Sequence, residues 1–455
     1  MQENAKSRPF PFRRASLFTL GCRLNQSETE ALRDRLEALG CEIVPWGAPA
    51  DFGVVNSCTV TRLAEAKCRQ IVRGFVKANP EAFCAVVGCY SQTGAAALAR
   101  IPGVDLIVGN RDKLSLTDFV GDGKKRAVPL VVAGKLPAGD FSVPAVCGAA
   151  PTTLRANLKV QDGCDFMCSY CIIPFARGRA RSRDFSDLVA EAESLAARGA
   201  KEITLTGVNI GTYKNSGYDI LGVVDAVAAV PGIARVRIGS IEPKTIPDGV
   251  FDRMNDPAHA LTPFIHIPLQ SGCGRILRDM RRHYSLEEYL AFIREIAARV
   301  PGVCIGTDIM VGFPGETDAE FDETCRTFAE NPFAYAHVFT YSERAGTPAA
   351  RRPDRGLIFL TLYAASTSAV CISSVALRAL SAEKRRAFMG GFLGREEEVL
   401  FEKPQGGIWP GYTKNYLRVH VPAEEFPGEN LVNALRVVRL EKVSGEAFVG
   451  RASQA

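Results

Sequence analysis

The run Gln161-Asp-Gly-Cys-Asp-Phe-Met-Cys-Ser-Tyr-Cys-Ile-Ile-Pro174 sets Cys164, Cys168 and Cys171 at C-x3-C-x2-C spacing, with no fourth cysteine close by. Three thiolates hold three irons of a [4Fe–4S] cube and leave the fourth open to a ligand that is not protein. S-adenosylmethionine suits that vacancy. Its amino and carboxylate groups can chelate the open iron, and the reduced cluster can then cleave its sulfonium. Structural zinc is the plainer alternative, but it wants four closed ligands, usually as two pairs. No second pair lies at a usual distance, and the histidines number five: His259, His266, His283, His337 and His420.

Outward from this motif, six strand candidates occupy residues 158–161, 202–207, 235–241, 264–269, 304–311 and 336–341, with helical patterns between most of them. Six βα units predict an open, partial (β/α)6 barrel. The cysteine loop then follows the first strand, at the end where such folds keep their chemistry. Other strand ends offer contacts for the cosubstrate. These are Thr206, Gly207 and Asn209 in Thr206-Gly-Val-Asn209; Ser240 and Glu242 in Gly239-Ser-Ile-Glu-Pro243; and Gly312 and Gly315 in Gly312-Phe-Pro-Gly-Glu-Thr317, with Asp308 inside the strand before it. Gly-rich strand ends also serve as plain turns. Arg177, Arg179, Arg181 and Arg183 alternate just after the cysteines. Such a run is either a solvated face or, beside an active site, a grip for RNA phosphates.

Before the barrel, about residues 15–132, short apolar strands alternate with amphipathic helices, the rhythm of a doubly wound parallel sheet. A helix is expected over 27–39, with Ser27 and Glu30 as a capping box. Three cysteines follow predicted strands: Cys22 in Thr19-Leu-Gly-Cys-Arg-Leu-Asn-Gln26, Cys58 in Val54-Val-Asn-Ser-Cys-Thr59 and Cys89 in Val86-Val-Gly-Cys-Tyr90. Loops after parallel strands share one sheet edge, so the three can converge on a second cluster. The alternative is that they only pack, as Cys41, Cys68 and Cys84 are expected to do. Residues 133–151, rich in Gly, Pro and Ala, read as a linker.

After the barrel, residues 387–455 read as a small all-β barrel, with strands at 397–401, 416–421, 435–443 and 447–450 and Gly/Pro turns between. Tyr412, Lys414, Tyr416 and Arg418 are its RNA candidates, since aromatics with basic neighbours stack bases and hold the backbone. Core aromatics are the equal alternative. The 455 residues imply two or three domains, and 47% hydrophobic with 23% charged residues is a globular composition. Fourteen cysteines are too sparse for a disulfide scaffold in a chain this long. The N-terminus carries no apolar signal segment, and iron–sulfur ligands need reduced thiols, so the cytoplasm is expected. The net charge of +5 permits a nucleic-acid partner without demonstrating one. Residues 357–377 carry no charge and are long enough for a membrane span, but their Ser/Thr content lowers the transfer gain. A buried helix and no membrane is the expectation.

Assembled, the chain resembles the radical-SAM methylthiotransferases over nearly its full length. Residues 18–30 (FTLGCRLNQSETE), 159–164 (KVQDGC) and 173–178 (IPFARG) look most like the group acting on N6-threonylcarbamoyladenosine at position 37 of tRNA. The resemblance implies three domains, at about 14–135, 150–382 and 387–453, the last a TRAM domain. It implies an auxiliary [4Fe–4S] cluster on Cys22, Cys58 and Cys89, tied to sulfur insertion. It also implies a second cluster on Cys164, Cys168 and Cys171 that makes the 5′-deoxyadenosyl radical. An external donor of flavodoxin or ferredoxin type would reduce them. Relatives acting on isopentenyladenosine in tRNA, or on a ribosomal-protein aspartate, are the alternatives within the family; a non-catalytic iron–sulfur RNA-binding or redox-sensing protein is the alternative outside it. The chain departs from the family at 357–377, where relatives carry a charged linker helix.

Overall fold

The computed structural model describes residues 10–143, 155–352 and 369–453. Within the first block, Phe52–Ser57 and Phe83–Gly88 are buried along their whole length. Strands covered on both faces read as continuous apolar runs and belong at the centre of a parallel sheet. The sheet runs Glu42–Ile43, Arg14–Thr19, Phe52–Ser57, Phe83–Gly88, Leu106–Val108, Leu130–Val132, every neighbour parallel. Separate apolar cores cover its two faces, one containing Leu32 and Leu36, the other Val72 and Phe75. The direction of sheet growth reverses between Arg14–Thr19 and Phe52–Ser57, so a crevice opens beyond the carboxyl ends of those two strands.

The first helix differs from expectation. It spans Arg23–Ala38, and Cys22 is its N-cap residue. Ser27 lies inside it and donates to the Leu24 carbonyl at 2.9 Å. The extra turn buries Leu24 and Asn25, and the Asn25 amide ties the carbonyls of Leu20 (2.7 Å) and Ser57 (3.0 Å) together. That tertiary gain outweighs the capping pattern.

In the second block, two three-stranded parallel sheets form an arc in chain order. One holds Arg155–Lys159, Glu202–Thr206 and Arg235–Ile238; the other holds Phe264–His266, Cys304–Val311 and Tyr335–Thr340. Isolated bridges Val236↔Leu261 and Ser240↔His266 join them. Alternate residues such as Ile203, Leu205, Val236 and Ile238 face outward into the large core under the helices. Their neighbours Thr204, Thr206, Arg237, His266 and Asp308 place polar groups in a lumen whose wall is otherwise largely apolar.

The third block ends in a closed five-stranded barrel of Glu396–Phe401, Ile408–Thr413, Arg418–Pro422, Ala447–Ala452 and Leu435–Ser444. The strand Ile408–Thr413 was not expected, because Pro410 and Gly411 read as turn residues. Pro410 still serves the ladder through its carbonyl, which accepts from the Glu402 amide at 2.8 Å. At Gly411 a Cβ would stand 2.5 Å from Val399 Cγ1, so close packing selects the glycine.

These parts enclose the lumen from three sides. The first domain bridges the open arc, touching the first strand through Glu28–Lys159 and the segment after the last strand through Arg62–Ser342. The small barrel caps the amino ends of the barrel strands, where Arg155 pairs with Glu402 and Arg235 donates to the Tyr412 carbonyl. The helix Ala369–Gly390 lies on the last strand, where the Ser381 hydroxyl exchanges bonds with the Ala336 backbone at 2.9 and 3.0 Å. Of the uncharged stretch, residues 357–368 fall outside the described residues, as do 144–151 of the expected linker. No helix among the described residues is long and apolar enough to cross a membrane.

Candidate functional site

Cys22, Cys58 and Cys89 follow successive parallel strands, the first two on either side of the switch point. Their thiols are near enough for Cys89 to act on both Cys22 and Cys58. Burial pushes the Cys58 thiol up to about 11, and Cys89 and Cys22 add to the shift. Cys22 is exposed at the crevice wall, yet the dense protein around it desolvates and raises its thiol, with the Arg177 guanidinium opposing and Cys89 adding. Gly21 (φ +100°) makes the approach possible, since a Cβ there would meet Cys58 Cβ at 3.0 Å and Sγ at 3.1 Å. Asn110 donates to Cys89 Sγ at 3.4 Å.

Cys164, Cys168 and Cys171 occupy the loop after the first barrel strand. Burial pushes Cys171 up to about 12, with Cys168 and Cys164 contributing. Gly163 (φ +71°) is forced by the same loop, for a Cβ there would lie 1.9 Å from the Arg179 carbonyl oxygen. Arg282 donates to Cys168 Sγ at 3.3 Å and to the Tyr170 hydroxyl at 3.4 Å, and pairs with Glu242. Every described cysteine is a free thiol. No three His, Cys, Asp or Glu side chains among the described residues converge tightly enough for a single metal ion. A cube spreads its thiolates over different irons, so it asks for a wider set than a single ion does.

Of the cosubstrate candidates, Thr206, Gly207, Ser240 and Asp308 line one crevice, and Asp308 pairs with His266 at 3.0 Å. Asn209 is buried near its rim, its Oδ1 accepting from Thr245 and its Nδ2 lacking any partner, an orphaned donor suited to a bound ligand. Gly207 admits the Gln161 side chain, whose Oε1 would sit 2.9 Å from a Cβ there. Gly312 and Gly315 lie after the fifth strand at positive φ and do not line this crevice.

The arginines after the cysteines behave differently from expectation. Arg177 is 1% exposed, so it cannot grip a phosphate. It spans the seam between the first two domains, donating to Glu28 (3.0 Å), Asp162 (2.9 Å) and Asn25 (2.6 Å). Lys113 and Lys159 join the same acids. Burial alone would raise the Glu28 carboxyl, but Arg177, Lys113 and Lys159 hold it well below the usual range. A buried charge persists only where it is paired, and an alternating arginine run gives no sign of which member will meet the acids. Arg181 is nearly covered and lies near Asp162 and over Phe141. Arg179 stays 70% exposed beside Asp165.

The crevice has a volume of about 1120 Å³. Cys22, Arg23, Cys58 and Thr61 bound it from the first domain; the barrel lumen and the helix Ala369–Gly390 bound it from elsewhere. Tyr416 reaches it from the small barrel, with its hydroxyl accepting from Arg23 at 2.9 Å. Tyr416 stacks on Tyr412 (4.9 Å between centroids, 20°), and the guanidinium of Arg155 covers both rings. Burial would push the Tyr416 phenol up, but Arg155, Arg23 and Arg237 outweigh it and hold it below its ordinary value. Both tyrosines are thus held by each other and by arginines, and each remains half-buried. Lys414 and Arg418 remain exposed. The sequence reading missed Arg282, Gln161, His266 and the Glu202–Arg237 pair (2.9 Å). Strand alternation could have suggested Gln161, His266, Glu202 and Arg237; Arg282, in the loop after the helix Gly274–Asp279, carries no such signal.

A family model described as the Radical SAM superfamily matches residues 158–328, and one described as Uncharacterized protein family UPF0004 matches 14–109. The chain is 35% identical over 415 residues to a Bacillus subtilis protein named threonylcarbamoyladenosine tRNA methylthiotransferase MtaB, covering 88% of each. It is 33% identical to a Cereibacter sphaeroides protein named tRNA-2-methylthio-N(6)-dimethylallyladenosine synthase, covering 93% of this chain and 95% of the other. In fold it is similar to the radical S-adenosylmethionine methyltransferase TsrM of Kitasatospora setae, with TM-score 0.54, 16% identity and coverage of 74% and 77%. With a thiol triad on the barrel loop, a second on the preceding sheet, and relatives above 30% identity along most of its length, the chain belongs to the radical-SAM methylthiotransferase family and is an enzyme of that kind.

Proposed function

We propose that this enzyme converts N6-threonylcarbamoyladenosine at position 37 of tRNA to its 2-methylthio form, in the cytoplasm, with an external flavodoxin- or ferredoxin-type donor. One observation carries the reading: a single crevice joins Cys22 and Cys58 of one triad to Thr206, Gly207, Ser240 and Asp308 at the barrel mouth. A radical site and a sulfur site must reach the same carbon; Cys22 and Cys58 line this crevice, whereas Cys164, Cys168 and Cys171 do not, so the radical would come from cosubstrate held at these strand ends. The likeness to the Bacillus subtilis relative supports the threonylcarbamoyl substrate.

Cys164, Cys168 and Cys171 would hold the cluster that binds S-adenosylmethionine, and Cys22, Cys58 and Cys89 the auxiliary one. The chemistry these groups supply when bound is hydrogen abstraction by a carbon radical and delivery of a methylated sulfur. Arg282 orients the loop by donating to Cys168 while fixing Glu242. Asn209, through its free Nδ2, would donate to the cosubstrate, and Ser240 on the crevice wall would meet its polar groups. The first domain and Tyr416 wall the chamber on two sides, which would limit the water that can reach a radical there. Anaerobic turnover on tRNA bearing either threonylcarbamoyladenosine or isopentenyladenosine, read by nucleoside mass spectrometry, tests the substrate. Methylthiolation of the first and not the second is expected; preference for the second would overturn the substrate assignment.

A further inference from the structure

Arg378, Ser381, Ala382 and Arg385 fall at i, i+3, i+4 and i+7 of the helix Ala369–Gly390, one face of it, and all four line the crevice. The two guanidinium groups are held by neutral partners. Arg385 sits over the Tyr335 ring at 5.1 Å, and Arg378 donates to the Val338 carbonyl and the Ser374 hydroxyl, each at 3.3 Å. The other charges in the crevice are matched differently. Arg237 pairs with Glu202, and Asp308 with His266. Glu446, the remaining acid on the wall, pairs with neither arginine among the described residues. Arg23, beside Cys22, likewise meets no acid among the described residues, bonding the hydroxyls of Tyr416 and Thr204 and lying over the Tyr416 ring.

A chamber with ample room for a modified nucleoside, and with guanidiniums unmatched by acid, is suited to an anion, and a planar fork of donors suits a carboxylate. We infer that Arg385, assisted by Arg378, receives the carboxylate of the N6-threonylcarbamoyl group and makes the enzyme discriminate against an apolar N6 substituent. This rests on the tRNA reading above and names the residues behind it. An isopentenyl group would leave these donors desolvated without a partner, which is how a polar site rejects an apolar analogue. Arg177 is unavailable for the task, being committed to Glu28 and Asp162.

The competing role for Arg378 and Arg385 is a grip on tRNA phosphates, and the two roles separate in a binding experiment. Reconstituted full-length enzyme is titrated at fixed salt with one anticodon stem-loop carrying threonylcarbamoyladenosine, the same stem-loop with plain adenosine, and the same with isopentenyladenosine. Wild type should prefer the first over the second by about 10- to 100-fold, the range for hydrogen bonds to a charged group. Arg385→Gln should collapse that preference to within about 3-fold while leaving the affinity for plain adenosine unchanged; Arg378→Gln should reduce it less, and Arg385→Lys should restore part of it. Iron content and far-UV dichroism matching wild type confirm that each variant is folded. Equal weakening on all three RNAs would make the arginines phosphate contacts and overturn the inference, as would an undiminished preference in Arg385→Gln. Failure of the substrate reading shows separately, as wild-type turnover on the isopentenyl RNA.

Discussion

The two cysteine triads reach similar arrangements by opposite routes. Cys164, Cys168 and Cys171 are neighbours in the chain, and a single loop after one strand sets their spacing. Cys22, Cys58 and Cys89 are dozens of residues apart and meet only because three parallel strands end level, with Thr19 beside Asn56 and Ser57 beside Gly88. A local triad depends on its own loop; a dispersed one depends on the register of a whole sheet and on what is packed against it.

The sharpest break in that comparison is at the thiols. The reconstituted enzyme should hold roughly eight irons. Cys164→Ala should lose about four and all cleavage of S-adenosylmethionine; Cys58→Ala should lose about four yet keep cleavage. Iron analysis with 5′-deoxyadenosine quantification reads both, and full iron content in Cys58→Ala would refute the auxiliary assignment. Next come the glycines. Gly88→Ala places a Cβ 2.4 Å from Asn56 Oδ1 and 2.9 Å from the Ser57 carbonyl at φ +97°, so it should disrupt the dispersed triad and spare cleavage. Gly163→Ala should do the reverse. If both variants lose the same cluster, the separation of the triads is wrong.

Glu28→Ala probes the seam that holds the dispersed triad against the barrel. It leaves Arg177, Lys113 and Lys159 buried with too few acids, and should cost about 3–5 kcal/mol, seen as a lowered unfolding midpoint. The Glu28 pKa is held down in the folded protein, so its contribution is present above its unfolded value near 4.5 and disappears as pH falls below that. Burial pushes the Lys113 ammonium down to about 8, so it can shed its proton once Glu28 is gone; the destabilisation of Glu28→Ala should therefore be largest near pH 6, narrow towards pH 8 and shrink under strong acid. The smallest effect is expected at the opposite seam. Tyr416→Phe removes one hydroxyl from Arg23 and keeps the stacking, at a cost of about 1 kcal/mol. Unchanged stability with faster uncoupled cleavage would mark the tyrosine as a water seal rather than a strut.

What could be read from the sequence follows the same division. The local motif, the six barrel strands and the cysteines at strand ends all rest on chain-local periodicity, and the fold class follows from them. Features that depend on partners distant in sequence were not legible. Ser27-x-x-Glu30 has the form of a helix start, yet packing of Leu24 and Asn25 moves the start to Cys22. Arg177 reads like Arg179, but only contacts across 149 residues make it a seam residue. Pro410 and Gly411 read as a turn because a closed barrel's demand for a small residue opposite Val399 leaves no periodic trace. Tyr412 and Tyr416 carry the composition of an RNA surface, and only the docking of the small barrel shows what they face.

The seam between the first two domains has a consequence for the order of assembly. Glu28 and Lys113 come from the same domain and pair with each other, so the surface that will be buried is neutralised in part before any barrel residue exists. Lys159, Asp162 and Arg177 arrive together on the segment that also carries the local cysteines. On a growing chain, where domains fold from the amino end, the dispersed triad is complete and accessible first, and synthesis of the cysteine loop is what brings its cover. Pulse-labelled ribosome-bound chains ending before residue 155 should therefore already protect the Arg14–Thr19 strand from protease; chains that stay fully digestible until residue 177 has emerged would show that the two domains fold as one.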